Sequence, residues 1–142
     1  FSTNDASAGY AIRPCEAPLS KATFRVTARR AFGSTRHGNA FLIFAGGERA
    51  SDRVECRLYY GGRSSLAIAG QVVAPVEKKI PIERGDGTIE LTVTVDCAAG
   101  SIRFAAAGGE IATRFTEPPG AVTHVGYGGA NSDTEFSAIR VE

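Results

Sequence analysis

The stretch Thr88–Phe115, TIELTVTVDCAAGSIRFAAAGGEIATRF, decides the reading of this chain. Ile89, Leu91, Val93, Val95 and Cys97 alternate with threonines and acids, so one face is apolar and the other polar. That period of two is the mark of a half-buried strand. Ala98 to Ser101 supplies a turn, after which Ile102, Phe104 and Ala106 return on the apolar face. Gly108 and Gly109 turn the chain again, and Ile111, Thr113 and Phe115 follow. The stretch therefore predicts a three-strand antiparallel meander.

The same alternation extends outward. In KATFRVTARRAF, Phe24, Val26 and Ala28 share one face, while Lys21, Thr23, Arg25, Thr27 and Arg29 share the other. RVECRLYY sends Val54, Cys56, Leu58 and Tyr60 one way, and Arg53, Glu55, Arg57 and Tyr59 the other. After Gly61 and Gly62, SSLAIAGQVV returns as its hairpin partner. GNAFLIFAGG is apolar throughout and bracketed by glycine, as a central strand is. PVEKKIPIE fits a helical stripe only by ignoring Pro75 and Pro81. The closing HVGYGGANSDTEFSAIRVE reads as a strand, a polar loop over Gly128 to Thr134, and a last strand. About ten strands and no amphipathic helix predict an all-β antiparallel sandwich or jelly roll. Val26, Leu58, Leu91, Val93, Val95 and Phe104 form its expected core.

Composition narrows the function. The chain has 142 residues and a net charge of +1, with 22% charged residues. That length suits one domain over residues 1–142. No polybasic run suggests nucleic acid. The longest apolar run, Ala40 to Ala45, is far too short to span a membrane. The chain begins at Phe1 and contains no Met, and is read as excised from a larger multidomain protein. Cys15, Cys56 and Cys97 form no CxxC and leave an odd thiol. Cys56 and Cys97 share inward parity, so a disulfide between them and three plain buried thiols are both open.

The strand-and-turn pattern of FRVTARRAF, NAFLIFA, RLYYGGRSSLAIA, the Thr88–Ile111 meander and THVGYGGANSDTEFSAIRVE resembles the concanavalin A-like lectin/glucanase superfamily in its laminin G-like form. The resemblance implies two curved antiparallel sheets, a concave face often used for carbohydrate, and calcium in many members. It departs from the family in two ways: the ExDxxE motif of its glucanases is missing, and there is no Trp to stack on a sugar.

The candidate chemistry follows from side-chain type. Aromatic rings stack on sugar rings, while Asn, Asp and Arg bond hydroxyls. The ligand-binding candidates are therefore Tyr59, Tyr127, Asn131, Asp133, Arg36 and His37, with Tyr60, Phe32 and Asn39 nearby. Tyr59 leads because its parity is outward. Asn131 and Asp133 are also candidate oxygen ligands for calcium. The nearest carboxylate groupings, Asp52/Glu55, Asp86/Glu90 and Asp133/Glu135, lack a glycosidase motif, although Glu55 and Glu135 would make a catalytic pair if they met. His37 and His124 have no GxSxG partner, and GYGGAN lacks the helix and Lys of a phosphate loop. The sequence thus predicts a non-catalytic accessory domain, extracellular or periplasmic, that binds carbohydrate or another extracellular ligand. Its rivals are a small glycoside hydrolase-like enzyme and an interaction sandwich packing on a neighbouring domain of the parent protein.

Overall fold

In the computed structural model, residues 9–30, 38–46, 49–60, 64–80, 88–130 and 134–142 are described. They form β1 (Gly9–Leu19), β2 (Lys21–Arg30), β3 (Gly38–Ala45), β4 (Arg53–Tyr60), β5 (Ser65–Ala69) and β6 (Val76–Lys79). β7 (Thr88–Asp96), β8 (Ser101–Ala106), β9 (Gly109–Arg114), β10 (Val122–Ala130), β11 (Thr134–Phe136) and β12 (Arg140–Val141) complete the set. Among the described residues the only helical piece is a 3₁₀ turn at Ala50–Asp52, and no helix is long and apolar enough to cross a membrane.

Two antiparallel sheets result, and the expected all-β sandwich is what the chain adopts. One sheet has the order β1-β10-β3-β4-β5-β6. The other has the order β11-β2-β7-β8-β9, with β12 also lying along β2. The meander is β7-β8-β9, and Ala107 and Gly108 take φ of 50° and 77° at its second turn. Positive φ at both central residues is the type I′ turn, whose twist matches that of the flanking strands. At the first turn, Asp96 Oδ1 accepts the Ala99 N–H at 2.9 Å.

The inward faces meet in one core. Val26, Leu58, Leu91, Val93, Val95 and Phe104 are all 0% exposed, as their parity predicts, and Phe24, Leu66 and Ile68 join them. Cys56 and Cys97 are both buried but unbonded. Cys56 lies in β4 of one sheet, and Cys97 follows β7 of the other. The disulfide alternative is thereby removed.

The two ends of the sandwich differ. In the connection between β5 and β6, Val73 bridges Phe115, Ala74 N–H donates to Arg114 O, and Thr116 N–H donates to Val72 O. Backbone bonds thus join the β5–β6 connection to the end of β9. At the other end, β11 and β12 act as one interrupted edge strand along β2. Ser137 bridges the interruption: its N–H donates to Thr27 O and its Oγ accepts the Thr27 N–H, both at 2.9 Å.

The tail differs from its sequence reading. β10 continues through Gly128, Gly129 and Ala130, paired with β1 on one side and β3 on the other. The glycines are strand residues, and residues 131–133 of the expected loop lie outside the described residues. Gly126 shows why glycine is needed. A Cβ there would occupy the space of the Ala11 carbonyl oxygen and lie 2.7 Å from Ile12 Cα.

Candidate functional site

The outward positions of the six-stranded sheet follow from register. On β4, Val54, Cys56 and Leu58 are buried in the core, so Glu55, Arg57 and Tyr59 point away from it. These three face Ala69, Ala67 and Ser65 of β5, and Ser65 and Ala67 in turn face Lys79 and Glu77 of β6. β5 therefore presents only small side chains. Ser65 and Ala67, buried beneath their neighbours, floor a trough between the longer side chains of β4 and β6.

The side chains of the β4 wall are tied to one another. Arg57 donates from Nε to Glu55 Oε2 at 2.7 Å and from Nη1 to Tyr59 OH at 3.1 Å. Its Nη2 also meets the same Glu55 oxygen. Burial opposes the Arg57 charge, but the bonds to Tyr59 and Glu55 outweigh it and hold the guanidinium above its ordinary range. From the floor, Ser65 Oγ donates to Glu77 Oε1 of the β6 wall at 3.1 Å. Fixed side chains lose less entropy when a ligand binds.

β1 adds a residue from far along the sheet. Tyr10 pairs with Gly128, is 43% exposed, and hydrogen-bonds Glu55. Burial, and then the Glu55 charge, raise its phenol above the usual value. β1 and β4 are three strand spacings apart, about 14 Å in a flat sheet. The hydroxyl reaches Glu55 only if this face curves inward. Gly126 and Gly128 place no side chain beneath the ring.

Of the residues expected to bind ligand, Tyr59 lies in this site. Tyr127 does not: it is partly buried against the core and stacks on Phe136 of the opposite sheet, with centroids 4.6 Å apart. Its position in β10 gives it the inward parity of its pairing partner Ala11. Arg36, His37, Asn131 and Asp133 lie outside the described residues, as do Phe32 and Asp86. Among the described residues no group of three or more His, Cys, Asp or Glu could hold a metal ion. Glu135 bonds Arg29 on the outer face of the other sheet, so Glu55 and Glu135 do not meet. His124 bonds Thr123 Oγ1 at 2.9 Å. Glu55 and Arg57 share the parity of Tyr59 and were legible from it. Tyr10 and Glu77 required the strand order.

This topology defines a class: the fold is the concanavalin A-like jelly roll. No family model matches the chain, and no curated protein matches it by sequence. Solved structures do match. The carbohydrate-binding module CBM66 from Bacillus subtilis superposes with a TM-score of 0.70 at 12% identity, covering 100% of this chain and 91% of that one. CG-16, a homodimeric agglutinin from chicken liver, gives 0.68 at 6% identity over 94% of this chain and 100% of its own. A tetrameric galectin from the ball sponge Cinachyrella gives 0.61 at 17% identity over 94% and 99%.

Proposed function

We propose that the chain is a non-catalytic carbohydrate-binding domain whose ligand lies in the trough over β4, β5 and β6. The observation that carries this is the cluster on one face: Arg57 fixed between Glu55 and Tyr59, above a floor of Ser65 and Ala67. Carboxylates and a guanidinium bond paired sugar hydroxyls as acceptor and donor, and the Tyr59 and Tyr10 rings offer the apolar surface that the missing indole would otherwise supply. The fold shared with a carbohydrate-binding module and with an agglutinin supports the reading. Glu55 is held in an ion pair with Arg57, which suits a hydrogen-bond acceptor better than the proton donor a glycosidase requires. A location outside the cytoplasm belongs to the same proposal.

The test is a screen of neutral oligosaccharides by calorimetry, repeated with Arg57→Ala. Binding by the wild type that Arg57→Ala weakens about tenfold or more, with an unchanged melting temperature, supports the proposal. Wild-type binding indifferent to Arg57 refutes the assigned site.

A further inference from the structure

The opposite side of the molecule carries a second depression, on the outer face of β7, β8 and β9. It has a volume of about 430 Å³, within the range of small-ligand sites. Register explains its shape. Ser101 lies between Asp96 and Arg114, and Arg103 lies between Thr94 and Ala112. Ser101 and Ala112 are short, so the surface sinks between the two arginines. Lys21 of β2 stands at the rim.

The charges do not balance within the depression. Lys21, Arg103 and Arg114 line it with a single acid, Asp96. Asp96 Oδ2 lies 3.5 Å from Lys21 Nζ, and Asp96 Oδ1 is taken by the Ala99 N–H. Arg114 donates from Nη2 to Ala99 O at 2.9 Å, and Arg103 Nε lies 3.3 Å from Glu110 Oε1. A guanidinium has five N–H donors in a planar fork. These contacts engage one nitrogen of each, and both arginines line the depression. The Arg103 side chain is 65% exposed, so its ion pair with Glu110 is weak and readily shared. Ser101 and Thr94 add hydroxyls, and Asp96 adds an acceptor that suits a sugar hydroxyl and not a second anion.

We propose that this depression is a second ligand site, independent of the trough on the other sheet, and that it takes an anionic saccharide. The carboxylate or sulfate group bonds Arg103 and Arg114, and ring hydroxyls bond Asp96, Ser101 and Thr94. The domain would then hold two saccharide segments of different charge on opposite faces.

Calorimetry with four probes tests this: a galacturonate oligomer, a sulfated oligosaccharide, a neutral oligosaccharide of equal length, and sodium sulfate. At least one acidic oligosaccharide binds, and whichever does identifies the acid group. Arg103→Ala and Arg114→Ala each weaken it about tenfold, and added salt weakens it further. Arg29→Ala, an exposed arginine elsewhere on the same sheet, leaves it unchanged. Should Arg114→Ala disturb the Ala99 turn and fail to fold, Arg103→Gln carries the same expectation. The proposal is overturned if neither acidic probe gives heat, if sodium sulfate binds as tightly as the oligomers, or if acidic binding is lost in Arg57→Ala and retained in Arg103→Ala. The neutral probe reads the trough separately, so failure of one site is distinguishable from failure of the other.

Discussion

Gly126→Ala probes a close backbone approach in the six-stranded sheet. The added methyl would overlap the Ala11 carbonyl oxygen and lie 2.7 Å from Ile12 Cα, both backbone atoms of β1. Backbone cannot swing aside as a side chain can, so β1 must recede from β10 by roughly an ångström. Overpacking of this kind costs about 1 to 3 kcal/mol. We expect about 2 kcal/mol. The unfolding entropy of a 142-residue chain is about 0.3 kcal/mol/K. The melting temperature should therefore fall by about 7 °C. The effect should be local as well: amides of Tyr10 to Arg13 should lose hydrogen-exchange protection while those of β7 keep theirs. The control is Gly120→Ala, where an added Cβ meets nothing within 4 Å. It should change stability by about 0.5 kcal/mol or less. A Gly126→Ala protein melting within about 2 °C of wild type, with β1 amides still protected, would refute this pairing of β1 with β10.

Leu91→Ala, at a site 0% exposed in the central strand β7, should cost about 3 to 4 kcal/mol in a urea melt, whereas Thr92→Ala on the outer face should cost about 1 kcal/mol or less. The Ala99 N–H, with Lys21 nearby, holds the Asp96 carboxyl below its ordinary value. A lowered carboxylate pKa stabilises the fold above the ordinary carboxylate range, and that contribution is lost as pH falls through the folded value. Asp96→Asn should therefore lose less stability than wild type between about pH 6 and pH 3. A thiol-reactive dye should label half-buried Cys15 in the native protein before Cys56, whose thiol burial pushes far above its usual range, and should count three thiols after unfolding.

Parity made much of the fold readable. In β2, β4, β7 and most of β8 apolar residues alternate with polar ones, so burying one face fixes the register of the strand. That placed Leu58, Leu91 and Phe104 inside and Tyr59 outside. β1 was not legible, because Pro14 and Pro18 interrupt any strand pattern. It is tolerated as an edge strand with a register shift between Pro14 and Leu19. β6 was hidden for a related reason. Its exposed Glu77, Lys78 and Lys79 carry no apolar alternation, and charge on an edge discourages pairing with another chain. Glycine misled in the tail. GYGG has the composition of a loop, yet β1 and β3 hold it as a strand, which turned Tyr127 toward Phe136 and away from Tyr59. The candidate site depends on strand order, which no local pattern encodes. Tyr10, Glu55 and Glu77 come from three strands that only the sheet brings to one face.

The most direct test of the carbohydrate reading is a map of backbone amide shifts while a neutral oligosaccharide found to bind is titrated in. The account predicts that the shifted amides cluster on Glu55 to Tyr59, Ser65 to Ala67 and Glu77, with Tyr10 at their edge. Shifts confined to β7, β8 and β9, or spread along β2 and β12, would contradict it.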